Sequence, residues 1–193
     1  MTPRIPPMEA PYPDGVGERL ESMMPAGVAP IALFRTFVHN LPMTDGLAAW
    51  GRYELSRDLS ISMRDREIVI DRTTARCGCE YEWGVHVLFF AERVGLTDTQ
   101  VSSIVHGDSS DPCWSDDRDR VLLDAVDELH DTSALTDATW ERLAGHFDAP
   151  QLLDVLLLAG WYHAISYVAN GARVALEDGA PRFDDVRPAA PAA

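Results

Sequence analysis

Residues 64–86 read RDREIVIDRTTARCGCEYEWGVH, and only there do a cysteine, a histidine and several carboxylates crowd together. Cys79, Glu82 and His86 follow one another at i, i+3 and i+7. On a helix this puts all three within ~60° of arc on one face. Glu67 lies on the preceding helical segment, and Gly78 between the two permits a tight bend. A Glu one turn from a His can orient the imidazole and raise its basicity, which is general acid–base chemistry. A thiol at the start of a helix sits at the positive end of the dipole, which favours thiolate. The expected catalytic residues are therefore Glu67, Cys79, Glu82 and His86.

Plainer readings stand beside these. A cysteine on a half-apolar helix is often just a small buried hydrophobe. A Glu and a His one turn apart are often a surface pair worth about 0.2–0.5 kcal/mol. Glu67 follows Arg64 and Arg66 and can belong to a solvated charged face. Cys77-Gly78-Cys79 is a C-x-C, in which a disulfide would close a small strained ring. Cys79, Glu82 and His86 could share a metal, but no second ligand cluster supports this, so no metal is expected.

The elements that position these residues read as helices throughout. Helical periodicity is expected after Pro30, ending at Leu41-Pro42, and again from about Thr44 to Arg57. Further helices are expected over Arg64 to Arg76 and over Cys79 to Val94, the latter stopped by Gly95. Thr97-Asp98-Thr99-Gln100 has capping-box spacing, Ser115 and Thr136 open two more helices, and Asp148 starts a long apolar one running to about Leu176. That last segment is apolar on nearly all sides, which puts it at the centre of the fold or at a subunit contact. Residues 64–95 and 118–175 are faintly alike, each a charged helix continued by an apolar one, as two related hairpins would be. Residues 1–15 hold five of the thirteen prolines and read as an extended arm. Residues 16–179 read as a single all-α domain and 180–193 as a flexible tail.

Composition narrows the function. The chain has 193 residues, enough for one domain with a sizeable core. Sixteen basic residues stand against 31 acidic ones, a net charge of −15, so neither nucleic acid nor an anionic membrane surface is an expected partner. No run of 18 consecutive apolar residues predicts a transmembrane helix, and residues 1–13 do not resemble a secretory signal. Three cysteines make no disulfide framework, so a cytoplasmic protein with reduced thiols is expected.

The pattern Glu67-x11-Cys79-x2-Glu82-x3-His86 resembles the active site of the alkylhydroperoxidase D and carboxymuconolactone decarboxylase superfamily. Glu80-Tyr81-Glu82-Trp83 before His86, Gly95-Leu96-Thr97, Arg4-Ile5-Pro6-Pro7, Trp140, Tyr162 and Asn170 add to the resemblance, which covers residues 4–178. It implies an all-α bundle of antiparallel helix hairpins and a homodimer, trimer or hexamer. In the peroxidase branch a C-x-x-C pair reduces peroxide while Glu and His relay protons. Here Glu82 replaces the peroxide-reacting cysteine, and only the resolving position survives, as Cys79. The decarboxylase branch matches Glu82 and His86 without a thiol pair. It implies cofactor-free proton transfer on a small organic acid.

The leading expectation is therefore an enzyme without cofactor, using Glu67, Glu82 and His86 on a small-molecule substrate, with Cys79 as a wall or auxiliary nucleophile. Arg76, Tyr81 and Trp83 are the expected substrate contacts, and Arg66 and Arg72 are further candidate partners for a substrate carboxylate. The alternatives are a thiol-dependent peroxidase built on Cys79 and a helical oligomer that binds a small ligand without catalysis. His39, His106, His130 and His146 read as helix-end residues, and His163 as a satisfied core histidine.

Overall fold

A computed structural model describes residues 2–187. The described chain is helical without strands: α1 (Val16–Ser22), α2 (Ala32–Phe37), α3 (Leu41–Glu54), α4 (Met63–Arg76), α5 (Glu80–Phe90), α6 (Asp98–His106), α7 (Asp117–Thr132), α8 (Asp137–His146) and α9 (Ala149–Ala172), then a 3-10 turn at Phe183–Val186.

The caps fix most boundaries. Capping boxes at Ser62, Thr97 and Asp148 open α4, α6 and α9. Gly95 is left-handed at φ 68°, but α5 ends at Phe90, capped by Ala91, short of the expected Val94, and Gly95 closes the turns that follow. Two further expectations change. Leu41-Pro42 opens α3 instead of ending α2, because proline suits the first turn of a helix, where an N–H needs no partner within the helix. Asp116, not Ser115, caps α7 through its side chain on the Arg118 amide.

α4 sits at the centre, against α5, α7 and α9. Every residue from Asp65 to Thr74 is buried, although five of them carry ionisable side chains. Buried charge persists only when paired, and α7 supplies much of the pairing. Arg64 binds Asp119, Arg72 binds Asp127 and Arg76 binds Asp131, each across 55 residues. Arg118 returns a two-pronged contact to Asp65, at 2.9 and 2.8 Å. A constant offset along both helices means that α4 and α7 run parallel and in register, a ladder of arginine–aspartate rungs. The apolar core fills the remaining sides with Ile68, Val69, Ile70, Trp83, Trp114, Leu122, Val126 and Leu158.

α9 packs on α4, buries Val155, Leu158, Tyr162 and Ile165, and leaves Leu153, Leu157, Tyr167 and Val168 exposed. It has the length and mean hydropathy of a membrane span, which the count of consecutive apolar residues missed, but half of that window is buried within the fold.

The ends of the chain are docked where they are described. The Arg4 amide donates to the Ala172 carbonyl at 2.8 Å, and the Met8 amide to that of Arg35 at 2.9 Å. Of the stretch read as a tail, Phe183 stacks on Trp83 with ring centroids 5.0 Å apart, and its amide donates to Glu80. Residues 188–193 lie outside the described residues.

Candidate active site

The bend between α4 and α5 brings the site together. Gly78 is left-handed at φ 60°, its amide donates to the Ala75 carbonyl, and the Cys79 amide donates to that of Thr74. This helix stop turns the chain within three residues and makes Cys79 the residue that caps α5. α5 then runs back along α4, and His86 meets Glu67.

His86 Nδ1 lies 2.8 Å from Glu67 Oε2, with Glu67 fully buried. The other carboxylate oxygen, Oε1, accepts from Arg66 Nε at 2.6 Å. On its far side, His86 Nε2 lies 3.1 Å from the Tyr162 hydroxyl of α9 and 3.7 Å from Glu82 Oε1. Phe90 and Tyr162 wall the imidazole, at centroid distances of 5.5 and 5.1 Å, and the Arg66 guanidinium lies 5.0 Å from the Phe90 ring centre. Arg66, Glu67, His86 and Tyr162 thus form one continuous chain of polar contacts in an apolar wall.

The burial of this group shifts its acids upward. Burial raises the Glu82 carboxyl above the usual carboxylate range, opposed by His86. One of its oxygens, Oε2, has no hydrogen-bond partner. Burial, and then the negative charges of Glu82 and Glu67, raise the Tyr162 phenol well above its ordinary value. Asp71, one turn after Glu67, is fully buried with neither oxygen paired, and burial followed by the Glu67 charge raises it well above the carboxylate range.

Cys79 corrects the expectation of a helix-activated thiolate. It is buried without solvent exposure, and burial pushes its thiol up to about 11, against the Glu82 backbone amide and the Ser166 hydroxyl, which pull the other way. Desolvation of a thiolate outweighs the partial charge of a helix end. Cys77, Cys79 and Cys113 are all free, and Cys77 faces His130 at 3.9 Å.

The expected substrate contacts are engaged in the scaffold. Arg76 pairs with Asp131 and Asp127. Tyr81 accepts from the Leu33 amide at 2.9 Å and donates to Glu177 at 2.7 Å. Trp83 is fully buried under Phe183. Arg72 is held by Asp127 and by the carbonyls of Ile104 and Gly107. Of the arginines considered, Arg66 alone touches the carboxylate–imidazole pair. Tyr162 entered the sequence reading only through resemblance, and Asp71 not at all. The signal for Asp71 was its place one turn beyond Glu67 on the same helix face.

No protein-family model and no curated protein matches the chain. Solved structures do. An uncharacterized peroxidase-related protein from Silicibacter sp. TM1040 aligns with a TM-score of 0.78 at 18% identity, over 94% of this chain and 93% of that one. An uncharacterized peroxidase-related protein from Ralstonia eutropha JMP134, described as an alkylhydroperoxidase AhpD core, aligns with a TM-score of 0.77 at 17% identity, over 95% and 97%. The apo debrominase Bmp8 aligns with a TM-score of 0.70 at 14% identity, over 95% and 97%. The fold of this chain is the all-helical fold of the AhpD-like proteins.

Proposed function

We propose that this protein is an enzyme of the carboxymuconolactone decarboxylase and AhpD-like group that moves protons on a small organic acid, with His86 as the proton carrier. The observation that carries this reading is the bracketing of one buried imidazole, by Glu67 on Nδ1 and Tyr162 on Nε2. A carboxylate on Nδ1 fixes the tautomer that leaves Nε2 with a lone pair, and it stabilises the imidazolium after a proton is taken. Arg66 keeps the Glu67 charge tolerable in the core. Glu82, its affinity for a proton raised by burial, is suited to returning one to the product. The chemistry needs no cofactor: decarboxylation, isomerisation or lactone opening. The exposed apolar stripe of α9, Leu153, Leu157, Tyr167 and Val168, supports self-association.

A thiol-dependent peroxidase is the second reading. It is favoured by the place of Cys79 at the head of α5, with the Glu82 amide directed at its sulfur, and by the peroxidase-related descriptions of fold neighbours. The closed, high-pKa thiol speaks against it.

A panel of small lactones and oxo acids in D2O, followed by NMR for C–H exchange and CO2 loss, separates the two. His86→Ala should lose ~10²–10⁴-fold of the rate, and Cys79→Ala should keep most of it. Peroxide turnover that depends on Cys79 and a thiol reductant, with no exchange on the panel, would overturn the proposal.

A further inference from the structure

Away from the Glu67–His86 group, three ligand-type atoms converge from three helices. Cys77 is the last residue of the α4 stop, His130 lies in the last turn of α7 and His163 in the middle of α9. The Cys77 sulfur, a nitrogen of His130 and a nitrogen of His163 lie within 4.8 Å of one another. Cys77 is ~15 Å along α4 from Glu67, so this is a separate place in the molecule.

The hydrogen bonds there fix the protons. His163 Nδ1 lies 3.0 Å from the Ala159 carbonyl, which can only accept, so Nδ1 carries the proton and Nε2 presents a lone pair. His130 Nδ1 lies 2.9 Å from that Nε2, so His130 donates. The Cys77 sulfur lies 3.9 Å from the same His130 Nδ1. One proton thus lies between the two imidazoles, with the Cys77 sulfur beside it. The Nδ1–H to carbonyl bond on His163 is the outer contact that orients a metal-ligating imidazole.

We propose that Cys77, His130 and His163 bind a zinc ion where that proton sits. A tetrahedral ion with Zn–S of ~2.3 Å and Zn–N of ~2.0–2.1 Å separates its ligand atoms by roughly 3.3–3.6 Å. The observed 2.9 and 3.9 Å reach those values by shifts of a few tenths of an ångström, and the Cys77–His163 pair, within 4.8 Å, closes by a side-chain rotation of up to about 1 Å. On binding, His130 moves its proton from Nδ1 to Nε2, and the Cys77 thiol releases its proton to solvent as the Zn–S bond forms; no electron is transferred. Two imidazoles and a thiolate are donors that suit zinc and leave the fourth position for water or another oxygen or nitrogen ligand. A cavity of about 320 Å³, lined in part by His130, Ala159, His163 and Tyr167, opens beside the rings and gives that ligand room.

The test is a titration of the untagged, reduced full chain with Co²⁺ and, against a chromophoric chelator, with Zn²⁺. One equivalent is expected to bind. Co²⁺ should give a thiolate-to-metal charge-transfer band and intense tetrahedral visible bands. Cys77→Ser should abolish the charge-transfer band, His163→Gln should weaken Zn²⁺ binding at least about tenfold, and Cys113→Ser should change neither. Each variant is compared with wild type by circular dichroism without metal. If Cys77→Ser does not fold, His163→Gln carries the test. Absence of stoichiometric binding, or binding indifferent to both substitutions, would overturn the site.

Discussion

Glu67 Oε2 and His86 Nδ1 lie 2.8 Å apart, on two helices joined by the three residues Cys77, Gly78 and Cys79, with the carboxylate shut off from water. An acceptor in that position is what keeps Nε2 available as a base. Glu67→Gln would conserve shape while removing the charge and, with the amide turned, the acceptor. We expect it to lower turnover by ~10²–10⁴-fold with little change in KM, read by steady-state kinetics on the substrate found in D2O. Tyr162→Phe removes only the contact to Nε2, and its effect should be smaller.

The three thiols should separate by accessibility. Cys77 and Cys113 are half-buried, while Cys79 is enclosed and its thiol is pushed up to about 11. Treatment with iodoacetamide at pH 8 should label Cys113 and Cys77 first, and leave Cys79 unmodified until denaturant is added. Peptide mass spectrometry reads this. Rapid labelling of Cys79 in the folded protein would contradict the closed geometry.

Glu54 gives the chain a pH-dependent weakness. It is buried, its Oε2 is unpaired, and burial followed by the Asp154 charge pushes it up to about 7. A carboxyl raised in the folded state binds its proton more tightly there than in the unfolded chain. Its contribution is therefore full below the ordinary carboxylate range, falls as pH rises, and is lost above about 7. Glu54→Gln should raise Tm at pH 8 by roughly 2–4 °C and make no comparable difference at pH 4.5. Thermal melts at the two pH values check it.

The ladder between α4 and α7 should be worth more than surface pairs. Arg72 is 4% exposed at its side chain and also satisfies two backbone carbonyls. Arg72→Met leaves Asp127 and those carbonyls without it, and should cost about 3 kcal/mol. Arg142, 40% exposed between Asp117 and Asp124, should cost less than about 1 kcal/mol as Arg142→Ala. Urea denaturation compares them.

Gly84 holds the C-terminal stretch in place. A Cβ there would come within 2.7 Å of the Pro181 carbonyl oxygen, a backbone atom that cannot turn aside. Gly84→Ala should displace the turn at Phe183–Val186, expose Trp83 and lower stability by about 1–3 kcal/mol. Red-shifted tryptophan emission would report it.

Local signals in the sequence located the helix starts at Thr97 and Asp148, since capping involves neighbours in the chain. The Glu67, Glu82 and His86 grouping was also legible, because one tight bend and a helical period suffice to bring it together. What escaped depends on distant partners. α1 is a single short helix without a periodic signal. Beside Arg64 and Arg66, Glu67 could pass for part of a solvated charged face, and the counter-ions that α7 supplies to α4 are visible only in the fold. The burial that keeps Cys79 a thiol comes from α2 and α9 as well as its own helix. His130 and His163 looked like a helix end and a core residue, because 53 residues separate Cys77 from His130 and 33 separate His130 from His163.

The parallel Arg–Asp rungs also bear on how the chain reaches its fold during synthesis. The charged side of α4 stays hydrated while its partner is still in the ribosome, beside the apolar run Ile68-Val69-Ile70 that must wait for the rest of the core. Its desolvation waits for Asp119, Asp127 and Asp131 to emerge, 55 residues after the arginines they meet. Collapse of the centre is thereby deferred until both halves of the molecule exist, and a fragment ending before α7 should remain unfolded.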